Sequence, residues 1–253
     1  MNESYKLGKD IWDRNDMIAH LKEFLSLYDN RPIRDNQGGQ KAAHLFYSWY
    51  VAKKLKPTVI IESGVYKGQG TWAFENASPS SKIICVDPYL KNYEGYRSVN
   101  ASYIESDFKL INWNAITDKS NVLCFFDDHQ NALERIVQMK YQGFSQAMFE
   151  DNYPEGQGDC LSLKKVLEYP QKYQILPGLS GEEYLNKVIE IYLEFPPIFS
   201  LEKTRWGTAW NEHRTNLPLL SEEDSDLFIF KEEMDQYTWM NYVRLTGNNS
   251  EIY

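Results

Sequence analysis

Glu62, Asp87, the run Asp127-Asp128-His129 and the run Glu150-Asp151-Asn152 each close a short apolar segment. Acids placed this way have two chemical uses. One carboxylate at a strand end can accept both hydroxyls of a ribose or face a cationic group. Several together repel, and raise one another's pKa, unless a cation sits among them. Carboxylate oxygens with an amide oxygen and waters suit a hard ion such as Mg²⁺. The plainer reading is also open. Asp87-Pro88 is turn chemistry, and strand-end acids can stand solvated without a metal. His129 could stack on a nucleoside, bind the metal or act as a base.

The first of these acids opens the loop Glu62-Ser-Gly64-Val-Tyr66-Lys-Gly68-Gln-Gly70-Thr71. Its glycines let backbone approach a ligand, and a helix starting near Gly70 would offer free N–H groups. No glycine stands two residues after Gly64, so the dinucleotide spacing GxGxxG is missing. That disfavours a nicotinamide enzyme. The alternative is a simple strand-to-helix turn.

The elements that must position these residues alternate. Helices are predicted over 11–28, with Asp10 as N-cap and Ile11, Ile18, Leu21, Leu25 and Tyr28 on one face, and over 41–55, ended by Pro57. The polar stretch Asn30 to Gln40 is a loop. Buried strands are predicted at 58–62, 82–87, 121–127 and 145–150, with a weaker one near 102–105 and a helix over 132–141. Such alternation means an α/β fold with a mostly parallel sheet and helices on both faces. After Asn152 the alternation breaks. Residues 152–226, with a helix near 181–193, are expected to form a lid or substrate insertion. Leu227–Phe230 and Trp239–Leu245 are expected to close the sheet as an antiparallel pair. The expected division is an N-terminal helical cap over 1–57 and a catalytic domain over 58–253.

Composition removes several classes. Lys plus Arg is 27 against 36 for Asp plus Glu, a net charge of −9, which disfavours extended nucleic acid as a partner. The longest apolar run, Val122–Phe126, is far too short to span a membrane. Met1 to Asp10 has no apolar core of a signal peptide. Cys85, Cys124 and Cys160 lack CxxC spacing, which argues against a disulfide scaffold or structural zinc. A reduced, cytoplasmic protein is expected. None of His20, His44, His129 and His213 is followed two residues later by an acid, so the usual element of a 2-His-1-carboxylate oxygenase is absent. A non-catalytic nucleoside-binding module would leave the acids of 127–152 without a purpose.

Residues 58–152 also carry a resemblance. Glu62–Gly70 resembles motif I (E/DxGxxxG) of class I S-adenosylmethionine methyltransferases, where the acid faces the methionine amino group. Asp128-His129 and Asp151-Asn152 fall where catechol O-methyltransferase has its Asp-His and Asp-Asn pairs. Phe125-Phe-Asp-Asp-His-Gln-Asn and Phe149-Glu-Asp-Asn-Tyr-Pro are more similar to the metal-dependent group named after cephalosporin hydroxylase and rhamnosyl O-methyltransferase. The resemblance implies a class I methyltransferase fold and S-adenosylmethionine and Mg²⁺ as cofactors. It implies a cofactor site of Glu62, Gly64, Tyr66, Gly68, Gly70, Asp87, Asp107, Asp127 and His129. It implies metal ligands among Asp127, Asp128, Glu150, Asp151 and Asn152, with Asp127 and Asp128 undecided, and catalytic roles for His129 and Asp128. The catechol family's lysine, two residues after that histidine, is Asn131 here, so a lysine base is not carried over.

The acceptor side rests on basic and aromatic residues. Arg31 and Arg34, before the first strand, could bind an anionic group. Arg205 and Trp206, with Trp210, His213 and Arg214 nearby, suit a sugar or nucleotide-linked sugar. Two solvated arginines and a lid core are the bland alternatives. The expected function is O-methylation of a sugar or other small-molecule hydroxyl in surface-polysaccharide or secondary-metabolite biosynthesis. A hydroxylase is the competing activity, and a homodimer is compatible with the chain.

Overall fold

The structure is a computed structural model that describes residues 12–92, 94–200, 202–209, 212–213, 215–220, 227–232 and 237–247. Asp13, not Asp10, caps the first helix: its carboxylate accepts from the backbone N–H of Asn15 and Asp16. Asp10 and Ile11 lie outside the described residues. Helix α1 (Arg14–Tyr28) and α2 (Ala42–Leu55) precede the sheet. Strands β1 (Val59–Ser63), β2 (Lys82–Val86), β3 (Ala101–Ile104), β4 (Val122–Phe126) and β5 (Gln146–Phe149) then pair in parallel, with α3 (Gln69–Ala77) and α4 (Ala132–Gln142) between them.

Residue alternation along the strands builds two cores. Ile60, Ile83, Cys85, Leu123, Phe125 and Met148 face one side and pack with α1, α2 and α3. Ile61, Ile84, Val86, Val122, Cys124, Phe126 and Phe149 face the other, toward α4 and the helices that follow. The expected N-terminal cap therefore shares a core with the sheet.

Beyond Asn152 come α5 (Leu163–Glu168), the small hairpin β6 (Gln174–Leu176) and β7 (Leu179–Ser180), and α6 (Gly181–Val188). Two expectations are corrected here. The helix predicted to 193 stops at Val188, and β8 (Ile189–Glu194) continues as a strand of the main sheet. Its apolar residues satisfy helical and strand spacing alike over so short a run. Residues 152–226 thus are not one insertion outside the sheet. The second correction concerns Leu227–Phe230, expected as a strand. Phe228–Glu232 is helix α7, and Phe230 packs its ring against Phe24 and Phe46. The antiparallel partner of β9 (Asn241–Leu245) is β8. The order is β3-β2-β1-β4-β5-β9-β8, and β9 alone runs against the rest.

Register sets the functional edge. Ser63 is level with Val86 and Phe126, and Phe126 with Phe149. The ladder runs one residue further: Gly64 N–H donates to Val86 O, Asp127 N–H to Ser63 O, and Glu150 N–H to Phe126 O, at 3.0, 2.8 and 2.9 Å. Gly64, Asp87, Asp127 and Glu150 are therefore abreast at the carboxyl edge, a strand spacing of about 4.8 Å apart.

Candidate active site

A cleft of about 390 Å³ opens at this edge, lined by Gly64, Tyr66, Asp87, Asp107, Asp127 and His129 among others, with Gly38 and Gly39 on the opposite lip. That is a size fit for a small ligand. Gly64 sits at φ +89°, and a Cβ there would lie 2.0 Å from Asp127 O. Only glycine permits the two strand-end loops to touch. Asp87 is the clasp of the loop. Its Oδ2 accepts from the N–H groups of Val65 and Tyr66 at 3.0 and 3.3 Å, and its Oδ1 from Tyr89 N–H at 2.7 Å.

Three expected cofactor residues do not line this cleft. Gly68 is the N-cap of α3, and Gly70 sits over Glu62, where a Cβ would meet Oε1 at 2.4 Å. Glu62 is fully buried beneath the cleft floor. Its Oε2 accepts from the Thr71 hydroxyl at 2.5 Å and the Cys85 thiol at 3.4 Å, while Oε1 has no hydrogen bond. Burial raises its pKa to about 7, against the opposing bonds from Thr71 and Cys85.

Side-chain donor atoms of Asp127 and His129, which line the cleft, and of Asp151 lie within 4.8 Å of one another. His129 sits at φ +53°, with Nδ1 3.0 Å from Asp159 Oδ1 and 3.3 Å from Asp151 Oδ2. Burial works against its charge, but Asp151, the bond to Asp159 and the charge of Asp127 outweigh it and raise the pKa to about 9. Burial pushes Asp127 and Glu150 well up, and the charge of Asp151 adds to both. Burial also raises Asp151, against the pull of His129. So many buried acids cannot all ionise together without added positive charge. The donor set fits a divalent cation. The buried Asp151 Oδ2 has no hydrogen bond and faces His129 Nδ1 at 3.3 Å, so it keeps lone pairs for one.

The structure separates Asp127 from Asp128. Asp128 Oδ2 accepts from Ser63 Oγ at 2.6 Å and lies 2.8 Å from Arg135 Nη2. The same guanidinium makes a paired contact with Asp107 at 3.0 and 2.9 Å. Burial raises Asp128, with Arg135 opposing; the bond to Arg135 lowers Asp107. Asp128 is thus committed to Arg135, outside the cluster. Asn152 is a second correction as a metal ligand. It is wholly buried, with Nδ2 donating to Tyr192 Oη and Trp239 O at 2.8 and 2.9 Å, and Oδ1 accepting from Lys164 N–H at 3.0 Å. Asn131, where the lysine would stand, caps α4.

The acceptor-side residues divide. Arg31 lies over the Tyr28 ring at 4.0 Å and donates to Tyr28 O, so it secures the end of α1. Arg34 is exposed. Arg205 donates to Tyr153 Oη at 3.0 Å and lies over the Trp206 ring at 4.8 Å. Tyr153 holds Trp206 edge-on at 4.6 Å and feels the charges of Glu150 and Asp151. These two lid residues are therefore brought beside the acids. Trp210 and Arg214 lie outside the described residues. His213 instead joins Gln157, Nε2 to Nε2 at 2.7 Å.

Sequence reasoning missed Gln40, His44, Arg135 and Tyr153. The signal for His44 was its polar pairing with Ser48, four residues on, in an otherwise apolar helical segment; Gln40, in the loop, carried none.

The strand order, with β9 reversed, matches the class I methyltransferase expectation. The fold is of that class. No protein-family model matches the chain, and no curated protein does. Among solved structures it is similar to the SAH-bound methyltransferase PaMTH1 of Podospora anserina, at 16% identity over 53% of this chain and 62% of that one, TM-score 0.36. The chain thus spans about 62% of that protein's length. It is also similar to the O-methyltransferase from Bacillus cereus in complex with SAH, at 12% identity over 76% and 88%, TM-score 0.40. The O-methyltransferase TomG from Streptomyces achromogenes, in complex with SAM, gives 10% identity over 78% and 93%, TM-score 0.42. In the described residues no helix is long and apolar enough to cross a membrane.

Proposed function

We propose that the protein is an S-adenosylmethionine-dependent O-methyltransferase assisted by a divalent cation, Mg²⁺ by preference. The observation that supports this best is adjacency. The glycine-loop cleft with Asp87 and the cluster of Asp127, His129 and Asp151 meet at one backbone contact, Gly64 to Asp127. When bound, the cofactor supplies an electrophilic methyl group and the cation a Lewis acid for the acceptor oxygen. The chain's residues do the rest. Asp87 has carboxylate lone pairs left for ribose hydroxyls while it holds the loop. Glu62, once ionised, would make the potential there negative and favour the cationic end of the cofactor. Asp127, Glu150 and Asp151 would hold the cation.

His129 uses Nδ1 for both carboxylates, so Nε2 is the nitrogen available to take the acceptor's proton. It must first lose its own proton, and a cation among the acids would favour that loss. Arg205 and Trp206 would orient the acceptor, a sugar or nucleotide-linked sugar hydroxyl by resemblance. The chain would act in surface-polysaccharide or secondary-metabolite biosynthesis, in the cytoplasm.

Calorimetry against S-adenosylmethionine and NAD tests the cofactor half: heat with the first and none with the second is expected. Methyl transfer to a sugar panel with and without EDTA tests the metal half. Full turnover in excess EDTA would leave a simple acid–base enzyme using His129.

A further inference from the structure

Behind the acidic cluster, one side chain just before α2 and one in its first turn each hold one carboxylate. Gln40 Nε2 donates to Asp127 Oδ2 at 3.1 Å, and His44 Nδ1 lies 3.1 Å from Glu150 Oε1. Both are buried, at 6% and 3% exposure. Each is oriented by a further partner. Ser48 Oγ donates to Gln40 Oε1 at 3.3 Å, which turns the amide nitrogen toward Asp127. Thr238 donates its hydroxyl hydrogen to Glu150 O at 2.5 Å and lies 3.4 Å from His44 Nε2, while the Lys41 N–H reaches His44 Nδ1 at 3.5 Å. His44 and Ser48, four residues apart on α2, share one face, and Gln40 enters from the loop that leads into the helix. Polar groups buried among Phe46, Tyr47 and Tyr50 cost about 1–3 kcal/mol each unless bonded. Here the bonds go to carboxylates at the ends of two different strands, β4 and β5.

We infer that Gln40 and His44 are positioning residues, a two-point clamp that sets the separation and orientation of the Asp127 and Glu150 carboxylates for a divalent cation. The inference rests on the metal reading given under Proposed function. Carboxylates that only repel each other would swing apart. A polar partner fixed behind each leaves the inner oxygens convergent, and outer partners of this kind govern metal affinity in other sites. The clamp comes from the segment that also reaches the cofactor loop. Tyr66 Oη donates to Gln37 O at 3.1 Å, and Gln69 bonds the backbone of Ile33 at 3.3 and 3.4 Å.

Mn²⁺ is the probe, titrated into the full-length chain and read by electron paramagnetic resonance, with S-adenosylhomocysteine affinity measured in parallel. Gln40→Leu and His44→Phe should each weaken Mn²⁺ binding by about 10–100-fold. His44→Phe should leave S-adenosylhomocysteine affinity unchanged. His44→Gln, which restores a polar partner toward Glu150, should recover most of the metal affinity. Ser48→Ala, which removes only the group orienting Gln40, should weaken Mn²⁺ measurably and serves if Gln40→Leu does not fold. A lower melting temperature with wild-type Mn²⁺ affinity in these variants would overturn the clamp and leave a structural role. A wild-type chain that binds no Mn²⁺ would overturn the metal reading itself, and the clamp with it.

Discussion

Arg135 and Asp128 are joined twice, Nη2 to Oδ2 at 2.8 Å and Nε to Oδ2 at 3.1 Å, and the same guanidinium grips Asp107. Successive side chains leaving a strand point to opposite sides. Asp127 thus turns to the acidic cluster and Asp128 to Arg135, and two adjacent acids take different partners.

That division is testable. Asp127→Asn should abolish Mn²⁺ binding, whereas Asp128→Asn should leave it nearly intact and lower stability. Arg135→Met should destabilise the fold by about 3–5 kcal/mol, because it strands two carboxylates, one of them buried. Denaturant melts and metal titrations read both. Loss of metal binding in Asp128→Asn alone would reverse the assignment.

Asp87→Ala should weaken S-adenosylmethionine binding by about 1–3 kcal/mol, the scale of lost charged hydrogen bonds. Metal affinity should hardly change, since Asp87 ends a different strand from the cluster. Unaltered cofactor affinity by calorimetry would remove Asp87 from the site.

Glu62 gives a pH dependence with a definite sign. Its pKa is about 7 in the fold against an ordinary value of 4.5. The folded state therefore binds the proton more tightly than the unfolded one. The stabilisation is complete below pH 4.5 and is lost as pH rises through about 7. Subtracting the Glu62→Gln stability curve from that of the wild type isolates this residue from Asp127, Glu150 and Asp151, which act with the same sign. The difference should shift against the wild type by on the order of 3 kcal/mol across that window. A flat difference curve would mean that Glu62 stays ionised in the fold.

Trp206→Ala and Arg205→Ala should raise the acceptor KM with little effect on cofactor affinity. Trp206 is 42% exposed, so truncating it costs little core. Variants that unfold without a kinetic phenotype in the folded fraction would favour a lid-core role.

The parallel core was legible because β1, β2, β4 and β5 are short, apolar and each closed by an acid, a pattern set by burial on both faces. The glycine turn after β1 was legible for a similar reason: Gly64 answers a local steric demand. What escaped was set by tertiary contacts. Nothing near Ile189–Glu194 announces a strand, because its partner Asn241–Leu245 lies far along the chain. Phe230 reads as a strand residue until Phe24 and Phe46 are seen waiting for it. Asn152 looked like a ligand by its neighbours in sequence. Its amide is used up by Tyr192, Trp239 and Lys164, none of them adjacent.

The contact between Gly64 and the Asp127 carbonyl leaves no room for even a methyl group between the two loops. Neither loop can shift without displacing the other. Ordering one by its ligand therefore removes conformational entropy that the second ligand would otherwise have to remove. Nucleoside and cation should bind with positive cooperativity, and by linkage each should tighten the other by the same factor.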